Sequence, residues 1–65
     1  MPRSEILRRI EIAIGRADVG VTTGQLKANF LDAMNRALRS VGGMTVQSLD
    51  DEGALYRAML RLEAA

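Results

Sequence analysis

Between Thr22 and Val41 the apolar residues fall on one side of a helix and the polar residues on the other. At roughly 100° per residue, Leu26, Phe30, Ala33, Met34, Ala37, Leu38 and Val41 share a stripe, opposite Gln25, Asn29, Asp32, Asn35, Arg36, Arg39 and Ser40. Thr22 with Gln25 makes a capping box, and Gly42-Gly43 is a stop signal. Between Leu26 and Leu38 there is no glycine or proline, and the stripe runs unbroken through Phe30 and Met34. One uninterrupted helix is therefore expected from 22 to 41. Leu31 lies just off the stripe and widens it towards a second neighbour.

A shorter helix precedes it. Ser4 suits an N-cap and Glu5 suits the first turn, while Ile6, Ile10, Ala13, Ile14 and Ala17 cluster on one side with Leu7 beside them. Glu5 and Arg9 are spaced for an i,i+4 pair, as are Asp32 and Arg36 in the long helix. Ile12 points the wrong way, among Arg8, Arg9 and Arg16. Either residues 10–14 alternate as a strand, or Ile12 meets a second surface such as another subunit. The N-cap and the propensities favour helix. Residues 15–21, with Gly15 and Gly20, form a connection of a length that suits a helical hairpin, and Val19 and Val21 plug the end of its core.

After Gly43 two readings stand. Ser48 followed by Asp51 is a capping signal, and Leu49, Leu55, Tyr56, Met59, Leu60 and Leu62 then form a broad apolar face of a helix running from about 49 to 63. The rival is a β-hairpin with strands over 44–49 and 54–62 and a turn at 50–53, which would also remove Gly53 from a helix interior. The helical reading gives an all-α domain over residues 1–65: a helical hairpin from 4 to 41 closed by a third helix.

A core of this size needs help. The chain has 65 residues, below the range in which a lone core is comfortably stable. It has no cysteine for a disulfide and no histidine, so a structural zinc site has almost no ligands to use. A partner chain is the remaining supplement, and a homo-oligomer is expected. At 48% hydrophobic and 26% charged residues the composition is that of a folded globule. No apolar run approaches the roughly 20 residues of a membrane helix, and the first residues lack the apolar core of a signal peptide. A cytoplasmic location and no membrane contact are expected.

The same inventory argues against catalysis. Without histidine or cysteine the usual general bases and nucleophiles are missing, and Lys27 has no neighbour in sequence to lower its pKa. Asp50, Asp51 and Glu52 lack the spacing of a calcium loop and read instead as acids at a helix start. No cofactor, metal or small-molecule site is expected. What remains is apolar surface. Ile12, Leu31, Met34, Met59 and Leu62 are the candidate partner-binding residues of a small regulatory or interaction protein, an adaptor, inhibitor or assembly subunit.

The second option is nucleic acid. Net charge is only +1, but up to residue 41 Arg3, Arg8, Arg9, Arg16, Lys27, Arg36 and Arg39 outnumber the acids. The order of a first helix, Val21–Leu26, Met34–Gly42 and a turn at Asp51-Glu52-Gly53 resembles a winged helix-turn-helix domain with a C-terminal β-hairpin. That resemblance implies a DNA-binding transcriptional regulator, with Asn35, Arg36 and Arg39 on the recognition helix and Glu52-Gly53 at the wing. Arginine and asparagine are the side chains that read guanine and adenine edges.

Overall fold

A computed structural model describes residues 1–17 and 29–65. The described residues form three helices: α1 (Arg3–Ala17), α2 (Phe30–Ser40) and α3 (Glu52–Ala64). There is no strand among the described residues, so the all-α, three-helix arrangement is the observed one and the hairpin over 44–62 is not.

The uninterrupted helix from 22 to 41 is corrected. Asn29 has φ −139° and ψ 57°, which is not helical, and its carbonyl accepts the Ala33 N–H at 2.9 Å as the first bond of α2. Asn29 holds the N-cap position through its backbone, and its side chain makes no capping hydrogen bond. Asp32 then falls in the first turn, where the helix dipole favours it. The signal for a start at residue 30 was present in the sequence, masked by an apolar period that ran through it. Thr22, Gln25, Leu26 and Lys27, and most of the 15–21 connection with Val19 and Val21, lie outside the described residues.

The other end of α2 is closed as expected. Gly42, at φ +68°, sends its N–H to the Arg39 carbonyl, and Gly43 sends its own to Leu38 at 2.7 Å. These are the paired bonds of a Schellman stop. A Cβ at Gly43 would lie 2.9 Å from the Leu38 carbonyl oxygen, so both glycines are required. At the start of α1, the Pro2 carbonyl takes the Glu5 and Ile6 N–H groups, and Ser4, the expected cap, is already inside the helix. Ile12 is helical too, which removes the strand reading of residues 10–14.

α3 also starts later than expected. Asp51, not Ser48, is its N-cap, with Oδ1 accepting the Ala54 N–H at 3.0 Å. Ser48 instead accepts the Asp50 N–H on Oγ and closes a turn ahead of the cap. Gly53 sits in the first turn of α3, where an added Cβ would meet only ordinary contacts at 3.5 Å and beyond. Two opposite outcomes are expected from thermal or denaturant melts. Asp51→Ala loses the cap and about 1 kcal/mol. Gly53→Ala gains about 0.5–1 kcal/mol by restricting the unfolded chain.

Ile6, Ile10, Ala13 and Ile14 of α1, Ala33, Met34, Ala37 and Leu38 of α2, and Ala54, Leu55, Ala58, Met59 and Leu62 of α3 bury together with Val46 from the connecting segment. α1 packs chiefly on α3 rather than on α2. The two run in the same direction. Arg3 at the start of α1 bonds Asp50 just ahead of α3 at 2.8 Å, and Ala13 and Arg16 near its end lie by Leu62, Glu63 and Ala65. Val41, capping α2, lines that same cleft, so the C-terminal ends of all three helices converge. Each helix carries an arginine in its last turn (Arg16, Arg39, Arg61) and an acid in its first (Glu5, Asp32, Glu52), which complements the dipoles gathered there.

Candidate interaction surface

The apolar residues nominated for a partner divide sharply. Met34, Met59 and Leu62 are buried in the core, so none of the three is part of an outer surface. Leu31 is half-buried against the same core. Ile12 is 46% exposed. On α3 the apolar face expected from sequence is right for Leu55, Met59 and Leu62, which are buried, and wrong for Tyr56 and Leu60, which are 42% and 47% exposed while Ala54 and Ala58 take inner positions. Small side chains let helix axes approach closely, and buried alanines stand at five positions across the three helices. A reading weighted to large residues rotates α3 towards Tyr56 and Leu60. The two alanines at i,i+4, spaced as on a contact stripe, were the signal that could have corrected it.

What stays outside is gathered on one side of the α1–α3 pair. At its centre Arg9 and Glu63 form a two-pronged ion pair, Nε donating to Oε2 at 2.9 Å and Nη2 to Oε1 at 2.6 Å. The expected Glu5–Arg9 pair is not formed. Glu5 instead lies 3.9 Å from Arg8, and the carboxylate of Glu63 holds the Arg9 guanidinium above its ordinary pKa. Around this pair, Met1 places Sδ 3.9 Å from Arg9 Nη1 and shares a shallow cleft with Tyr56 and Ile6. Leu60 follows Tyr56 by one turn and precedes Glu63 by another, while Ile12 follows Arg9 by one. Met1, Ile12, Tyr56 and Leu60 are the large hydrophobic side chains left exposed among the described residues.

The nucleic-acid candidates fare differently from one another. Arg36 and Arg39 are exposed on the outer side of α2, and no Asp32–Arg36 pair forms. Asn35 is half-buried and fully engaged. Its Nδ2 donates to the Val46 carbonyl at 2.9 Å, and its Oδ1 accepts the Val46 N–H at 2.8 Å. One residue's N–H and C=O point to the same edge only when it is extended. The Asn35 amide thus takes the place of a neighbouring strand and fastens the buried Val46 to α2. That role ties up both ends of the amide, Nδ2 and Oδ1, that would otherwise form a paired contact with adenine. Glu52 and Gly53 form the first turn of α3 and not a wing.

Comparison of the chain with protein-family models, curated proteins and solved structures found no significant match.

Asp50, Asp51 and Glu52 have separate tasks: an ion pair with Arg3, the cap of α3, and its first turn. Among the described residues no group of three or more acidic side chains is placed to hold a metal ion, and no helix is long and apolar enough to cross a membrane.

Proposed function

We propose that this protein is a non-enzymatic interaction module that binds another protein chain through the outer face of α1 and α3. The observation that carries this reading is the grouping of Met1, Ile12, Tyr56 and Leu60 around the Arg9–Glu63 pair. Tyrosine, methionine and arginine are the side chains enriched in protein interfaces. Tyr56 also combines a broad apolar ring with a polar tip and loses little side-chain freedom on contact. Lone exposed hydrophobics are ordinary, whereas a set converging on one face of a pair of helices is a surface with a use. The regulatory, adaptor or assembly role is the biological form such a module takes.

The test places the photo-crosslinking residue benzoylphenylalanine at position 60 in the cells the protein comes from. Irradiation is expected to yield a covalent adduct with a protein chain, and Ile12→Glu in the same molecule is expected to abolish it. Absence of any adduct overturns the reading.

A further inference from the structure

We infer that the chain docked on this face is a second copy of the protein, paired through α1 against α1 in antiparallel register across a two-fold axis. The inference rests on the interaction reading above and adds the identity of the occupant. On α1, Glu5, Arg9, Ile12 and Arg16 are spaced 4-3-4 along the exposed side, which is the spacing of a helix–helix contact seam. Charge then selects the register. In parallel pairing Glu5 would face Glu5 and Arg16 would face Arg16. In antiparallel pairing each Glu5 meets the second copy's Arg16, and each Ile12 lies across the second copy's Arg9.

Arg9 suits that position because its charge is already matched. Glu63 holds the guanidinium with two hydrogen bonds, which leaves the aliphatic stem for Ile12 to cover. With Glu63 included, the seam carries two negative and two positive groups. Arg9 and Glu63 already neutralise each other, which leaves Glu5, 3.9 Å from Arg8, and Arg16 to meet a partner; a partner face of one sign would oppose one of the two, whereas a copy of the same face sets each against the other under a two-fold operation. Tyr56 and Leu60 flank the seam from α3 and extend its apolar area.

Sedimentation equilibrium on the intact protein tests the pairing. A reversible monomer–dimer equilibrium is expected, and Ile12→Glu, at an exposed position, is expected to give a folded monomer. Glu5→Arg alone and Arg16→Glu alone are each expected to weaken the dimer about tenfold, and the two together to restore it to within about threefold, since opposite charges then face again with their places exchanged. Circular dichroism melts confirm that each variant is folded. A chain that stays monomeric, or a double exchange that recovers nothing, overturns the pairing. A monomer that nevertheless crosslinks from position 60 to a protein of different mass removes the self-pairing and leaves the interaction module standing. A monomer without any adduct removes both.

Discussion

Replacing Met59 with alanine is expected to remove a third or more of the protein's stability. Met59 is buried at the centre of α3 and belongs to the one core cluster. Truncating a buried methionine costs about 2–5 kcal/mol, from lost transfer energy and the cavity left behind. A domain of this size has about 3–10 kcal/mol of stability in total. The cavity has little chance to collapse, because its neighbours Ala54 and Ala58 already bring the helices close. Urea titration followed by circular dichroism measures the loss. Tyr56→Ala or Leu60→Ala is expected to cost clearly less, as these residues keep 42% and 47% of their surface exposed. Comparable losses at all three positions would mean that α3 is rotated from the orientation described.

The second large effect is expected at Asn35. Asn35→Leu keeps the approximate shape but leaves the Val46 N–H and C=O without their partners. An unmatched polar group of this kind costs about 1–3 kcal/mol. Hydrogen exchange localises the damage: the Val46 amide is expected to lose its protection while the middle of α1 keeps its own. An Asn35 that served only to read a nucleic acid would leave both stability and exchange unchanged on replacement, which makes this variant decisive between the two roles.

These residues show where the sequence was informative and where it was not. Ile6, Ile10, Ala13 and Ile14, and likewise Ala33, Met34, Ala37 and Leu38, were readable as inner faces because helical periodicity is a local property. The Gly42-Gly43 stop was readable for the same reason, since it concerns the backbone of six residues. The start of α3 was misplaced by three residues because Ser48 and Asp51 are both good caps, and only the folded turn shows which one closes on the helix. Asn35 was beyond reach of any local reading, since its partner is backbone 11 positions away. Arg9 had two acids to choose from, and the nearer in sequence was the wrong one. The exposed apolar residues of α3 were hidden by the small ones: Tyr56 and Leu60 stand out once Ala54 and Ala58 are known to face inward.

That α1 and α3 lie side by side in the same direction bears on how the molecule forms. Arg3 and Asp50 are 47 positions apart, and Arg9 and Glu63 are 54 apart. Most small helical proteins assemble from neighbours in sequence and are correspondingly fast, whereas loops of this span must close before they are rewarded. On a ribosome, α1 would lack its main packing partner until α3 had been synthesised. Much of its greasy side would stay open to chaperones for that interval, and a nascent chain stalled before residue 52 would have only α2 to cover it.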